Sequence, residues 1–84
     1  MKLKPNFIVR KIASDTVLMD TNDTGRLLRL NETAADILSL LQEGLSEEAA
    51  AEKLTTLYEI DLSTAKADVA RILAQLVDLG AVEA

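Results

Sequence analysis

The spacing of apolar residues changes at about Asn31. Before it lie three short runs, Phe7 to Ile12, Thr16 to Asp20 and Arg26 to Leu30, rich in Val, Ile, Leu and Thr. Runs of that length and composition predict strands. Ala13-Ser14-Asp15 and Thr21-Asn22-Asp23-Thr24-Gly25 separate them. Asn, Asp and Gly tolerate positive φ, so the connections read as turns and the three strands as an antiparallel meander. No strand follows the third in sequence, which leaves one edge of the sheet free to be open.

From Asn31 onward the spacing is helical. Asn31 is placed to cap a first helix, with Glu32 in its first turn and Ala34, Ile37, Leu38 and Leu41 recurring at steps of three and four. Gly44 supplies the stop. Ser46 opens a second helix, whose Ala50, Leu54, Leu57 and Tyr58 are expected to face inward, and Glu59-Ile60-Asp61 breaks the run. Asp61 or Ser63 caps a third helix with an apolar stripe of Ala65, Val69, Ile72, Leu73, Leu76 and Leu79, ended by Gly80. The order βββααα, with no internal repeat or linker, predicts one α+β domain over residues 1–84, its helices packed on one face of a small sheet.

In a strand, alternate side chains share a face, so Leu28 and Leu30 lie on one side and Leu27 and Arg29 on the other. One face must meet the core, which leaves at least one leucine outside it. An open edge next to an exposed leucine invites a partner strand, unless the third helix or the N-terminal arm covers it.

Composition removes most enzymatic chemistry. The chain has no His and no Cys, so thiol nucleophiles, Ser-His triads, iron–sulfur clusters and zinc sites built on those ligands are excluded. Two of the serines, Ser46 and Ser63, sit at helix starts where capping explains them. The adjacent Glu47-Glu48 pair points about 100° apart on a helix, not into one cleft. There is no Gly-rich phosphate loop and no spaced acidic set for a hard cation. The residues read as those of a protein that is not an enzyme and that holds no metal and no cofactor of its own.

Charge bears on the partner. The net charge is −5, yet Lys2, Lys4, Arg10 and Lys11 all precede the first acid, Asp15. The basic head reads as a solvated terminus, and the body carries all fourteen acids. A winged-helix DNA-binding regulator is the alternative that the order of elements allows. Against it, the third helix balances Lys66 and Arg71 with Asp68 and Asp78, and the second sets Glu47, Glu48 and Glu52 against Lys53. An acyl carrier needs Asp-Ser-Leu at a helix start, whereas this chain has Asp61-Leu62-Ser63 and a strand-like first third. No signal peptide or membrane-length apolar run is present, so the reading is cytoplasmic, with no membrane and no nucleic acid as partner.

The residues resemble the PqqD-like proteins, the peptide recognition elements of pathways that modify ribosomally made peptides. The likeness runs from about Phe7 to Val82. Its most specific part is Val17-Leu18-Met19-Asp20, a turn, then Leu28-Arg29-Leu30-Asn31-Glu32-Thr33-Ala34-Ala35 followed by Ile37-Leu38. Gly44, Leu54, Tyr58, Asp61, Asp68-Val69, Ile72-Leu73, Leu76 and Gly80 continue it at the right distances. The resemblance implies a winged-helix-like fold. It also implies a non-catalytic chaperone that binds the leader segment of a precursor peptide and presents it to a modifying enzyme, as in pyrroloquinoline quinone or lasso-peptide biosynthesis. In that family the leader adds as a strand in the groove between strand 3 and helix 3.

Carried over to this chain, the peptide-binding positions are Leu27, Leu28, Arg29 and Leu30 on the strand and Asp68, Arg71, Ile72 and Gln75 on the helix. The opposite flank, Lys66, Ala70, Leu73 and Val77, stays open as the groove wall. The implied enzyme partner is a radical S-adenosylmethionine protein or a leader peptidase, and any cofactor belongs to it. With no enzyme fused to these residues, the domain is expected to need a second surface for that enzyme. A bare edge can also pair with its own copy, so a homodimer is left open.

Overall fold

The computed structural model describes residues 1–82. Three strands, β1 (Phe7–Ile12), β2 (Asp15–Asp20) and β3 (Asp23–Leu30), precede three helices, α1 (Glu32–Gln42), α2 (Glu47–Tyr58) and α3 (Leu62–Leu79). The strands form one antiparallel sheet in the order β1-β2-β3, with Val9 opposite Leu18 and Leu18 opposite Leu28. The α+β meander and the order βββααα are as the sequence predicts.

Both turns are tighter than their composition suggests. Asp15 pairs with Ile12, which leaves only Ala13 and Ser14 between β1 and β2, Ala13 taking the left-handed conformation at φ 56°. The second connection shrinks to Thr21 and Asn22, because Asp23 already pairs with Asp20 and β3 begins three residues before Arg26. A long-range contact accounts for this. The Asp20 carboxylate accepts hydrogen bonds from Asn6 Nδ2 and from the Asn22 amide, both at 2.9 Å, while the Thr21 amide donates to the Asn6 carbonyl at 2.7 Å. The chain before β1 thus pins the turn after β2, and a register irregularity between Met19 and Asp20 absorbs the mismatch.

Helix ends follow the capping rules. Asn31 and Ser46 accept from the amides of Ala34 and Ala49 at 2.8 and 3.1 Å. At α3 the cap is Asp61, which accepts from Thr64 N at 2.8 Å, and Ser63 instead donates its hydroxyl to Asp61. Gly44 and Gly80, at φ 101° and 82°, close α1 and α3 with paired Schellman bonds such as Ala81 N to Leu76 O at 3.0 Å. α2 ends on Glu59, a non-glycine residue in the left-handed region at φ 52°.

The helices cover one face of the sheet. Leu18 and Leu30 from the strands meet Ile37, Leu38, Leu54, Val69, Ile72 and Leu76 in a single buried cluster. One inward expectation fails: Leu57 is 52% exposed and Ala51 is buried in its place. At 100° per residue the buried face of α2 centres between Ala50 and Ala51, which swings Leu57 to its margin in the last turn. The N-terminal segment is also not a solvated head. Met1 and Leu3 pack on the core, and the Lys4 amide donates to the Ala81 carbonyl at 2.8 Å.

Candidate functional site

Position in the sheet defines the site. β3 pairs with β2 on one side only. Among the described residues, no backbone hydrogen bond from any other element reaches residues 23–30. The N-terminal arm bonds to Ala81 and to the turn at Thr21, leaving the edge uncovered by backbone. β3 therefore presents a row of N–H and C=O groups whose partner must be water or an added strand.

The two faces of β3 divide as the period of two requires. Leu28 and Leu30 turn toward the helices, Leu28 half-buried and Leu30 only 3% exposed. Leu27, 45% exposed, and Arg29 turn to the opposite side. Leu27 is the leucine left outside the core. Leu28 packs on the core from the margin of the sheet, beside the free edge.

α3 packs against β3 and forms the other bank. The helix positions named from the sequence do not behave alike. Ile72 is 1% exposed and belongs to the core, so its side chain supports the groove from beneath. Asp68 and Gln75 are half-buried, and Arg71 is exposed. Arg71 and Asp68 pair with each other at 3.4 Å across one turn. Such an exposed pair contributes little to stability, about 0–1 kcal/mol, but each partly neutralises the other toward a ligand. On the other flank, Leu73 and Val77 are half-buried against the core, while Lys66 and Ala70 are exposed. Arg29 makes no ion pair among the described residues.

One residue at the groove was not singled out from sequence. Arg26 shares the helix-facing side of β3 with Leu28 and Leu30, and its Nη2 donates to the carbonyl of Leu79 at the C-terminus of α3. A cation there satisfies an orphan carbonyl and meets the negative end of the helix dipole. This bond ties strand to helix at one end of the groove. A charged residue in phase with two core leucines was the available signal.

Ionisation shifts here follow structural hydrogen bonds. The hydrogen bond from Asn6, with that from the Asn22 amide and the nearby Arg26 charge, holds Asp20 below the usual carboxylate range. Hydrogen bonds around Thr64 and Ser63 do the same for Asp61. Tyr58 donates its hydroxyl to Asp36, and that bond, with partial desolvation, pushes the phenol up to about 12. None of these groups lies on the free edge. Among the described residues no group of three or more acids is placed to hold a metal ion.

The geometry is that of a small α+β domain with an unpaired strand edge running beside a helix. The chain belongs to the PqqD family, whose model, described as coenzyme PQQ synthesis protein D, matches residues 15–82. A solved structure described as lasso peptide synthetase B1 complexed with the leader peptide matches with a TM-score of 0.87 and 31% identity, covering 99% of this chain and 96% of that one. A second, TbiB1 in complex with the TbiA(beta) leader peptide, matches with a TM-score of 0.82 and 26% identity, covering 99% and 95%. No curated protein matches the chain in sequence.

Proposed function

We propose that this chain is a non-catalytic peptide chaperone. It binds the leader segment of a ribosomally made precursor peptide as a fourth strand along β3 and presents the rest of the peptide to a modifying enzyme. The observation that carries this is the free β3 edge beside α3, in a fold shared along nearly the whole chain with proteins solved in complex with leader peptides. Main-chain bonds to residues 27–30 set register, and alternate leader side chains enter between Leu28 and α3. Asp68, Arg71 and Gln75 are the polar contacts on that helix, with Ile72 as their apolar support. The enzyme partner is a radical S-adenosylmethionine protein or a leader peptidase, and it supplies any cofactor. The reading is cytoplasmic, and no described helix is long and apolar enough to cross a membrane.

The test is an amide-resolved NMR titration of labelled protein with the leader half of the precursor encoded beside it, and with duplex DNA as control. Saturable shifts concentrated on residues 26–31 and 66–79, absent with DNA, are the expected result. Shifts with DNA and none with peptide would overturn the proposal in favour of a winged-helix regulator.

A further inference from the structure

The sheet has a second face, and no helix covers it. The strand register places Ile8, Val17, Met19 and Leu27 on the side away from the helices, and none of them joins the core cluster. Val17 is nevertheless only 6% exposed. Its direct cross-strand neighbours are Arg10 on β1 and Arg29 on β3, both exposed. Ile12, 54% exposed, continues the patch along β1. The face is thus apolar at its centre and basic at its rim, with Asp15 as its acid at one end. The helical side is the reverse, carrying Glu32, Glu47, Glu48 and Glu52 among others.

We propose that this outer sheet face docks the enzyme that acts on the bound peptide, through a partner surface that is apolar with an acidic rim. This rests on the strand-addition reading above. A peptide strand added to β3 alternates its side chains between the helix side and this same outer face, so it enlarges the patch. One enzyme surface seated there touches the domain and the leader together, and each then strengthens the binding of the other. Charge argues against a second copy as the occupant. Two such faces packed about a twofold axis through their centre bring the arginines of one copy toward those of the other, and like charges at an interface are costly.

The experiment uses the intact chain, wild type and the double variant R10E/I12D, immobilised for interferometry. The probes are the purified peptide-processing enzyme encoded beside it, with and without the leader peptide. Both substitutions sit on β1, two strands from the peptide edge, at exposed positions, and unchanged circular dichroism together with retained leader affinity shows that the variant is folded. The expected result is leader affinity within about twofold of wild type, enzyme affinity lower by about tenfold or more, and leader-enhanced enzyme binding in the wild type alone. Equal enzyme affinity in both proteins would overturn the proposal. So would loss of enzyme binding in L57D or L62D, exposed apolar positions on the helical side. A dimer, or binding to anionic vesicles, that R10E/I12D abolishes while enzyme binding persists would overturn it as well. Failure of the wild type to bind the leader counts against strand addition instead, and the enzyme measurement without peptide still decides the face.

Discussion

Proline placed in turn at residues 27, 28, 29 and 30 tests strand addition at the level of single hydrogen bonds. β3 is antiparallel to β2, with Leu30 opposite Thr16 and Leu27 opposite Met19. In such a pair, successive residues alternate between exchanging both backbone bonds with the partner and exchanging none. Either residues 27 and 29 or residues 28 and 30 therefore aim their N–H groups at the free edge. Proline at an outward position deletes one intermolecular bond and leaves a peptide carbonyl unpaired, worth about 1–3 kcal/mol, or roughly a 5- to 150-fold rise in Kd. At an inward position the same loss falls on the β2–β3 ladder and lowers stability instead.

Alanine at each position separates the side-chain effect from the backbone effect. At Leu30, buried in the core, alanine itself costs about 2–5 kcal/mol. At the exposed Leu27 and Arg29 it costs about 0.5 kcal/mol or less. Urea unfolding followed by circular dichroism and titration calorimetry with the leader peptide give the two readouts. The expected pattern is an alternation: folded variants with weakened binding at one pair of positions, destabilised variants at the other. Wild-type affinity in every proline variant that stays folded would refute strand addition along this segment.

Further predictions concern the frame around the groove. Arg26→Gln removes the guanidinium bond to the Leu79 carbonyl and lowers stability by about 1 kcal/mol, a fall in Tm of about 4–8 °C measured by calorimetry. Gly80→Ala is expected to be as harmful, because φ is 82° and the new Cβ falls 3.0 Å from Arg26 Nη2; a crystal structure of the variant should show the arginine displaced. Tyr58→Phe keeps the ring and removes the bond to Asp36, costing about 0.5–1.5 kcal/mol by urea titration. The folded phenol titrates at about 12 against an ordinary 10, so its contribution is full below pH 10 and is lost as pH rises toward 12; the variant should lack that alkaline loss. Asp20 has the opposite sign, its carboxylate held below the ordinary 3.8, so its contribution is present above that value and lost as acid titrates the folded form, which Asp20→Ala should abolish.

Local chemistry made much of the fold legible. Asn31 and Ser46 could be placed as caps because a side-chain oxygen followed by acidic residues is a signal contained within four positions. Asp61 and Ser63 are both cap formers two residues apart, and only the bond between them shows that one supports the other. The true start of β3 was hidden because Asp23-Thr24-Gly25 has turn composition, while its strand pairing is fixed by Asn6 and Asp20, fourteen residues apart. The site divides in the same way. Alternation identified Leu27 as the exposed leucine and Leu28 and Leu30 as its inward neighbours. Helical periodicity finds the core stripe of α3 but is symmetric about it, so it could not rank Asp68 and Gln75 against Leu73 and Val77. It does place Ile72 within the stripe, where the structure buries it, and only the family resemblance carries that residue over to the groove.

The chain's uneven charge takes on a physical meaning once the sheet is in place. Acidic residues crowd the helices, and Arg10 and Arg29 flank Val17 on the far side of the sheet, so the molecule is electrically two-sided across a thickness of one sheet and one helical layer. On the strand-addition reading a leader strand has one set of side chains toward the charge-balanced α3 and the alternate set on the outer face beside Arg29. Acidic residues in the second set, beside Arg29, are favoured, and a one-residue slip moves them to the helix side and loses that contact. Register along the edge is therefore specified by charge as well as by the apolar floor at Leu28. A leader analogue with basic residues in that second set should bind more weakly than one with neutral residues there, by about two- to tenfold at low salt, with the difference shrinking at high salt. Equal affinities for the two analogues at low salt would show that the apolar floor alone sets the register.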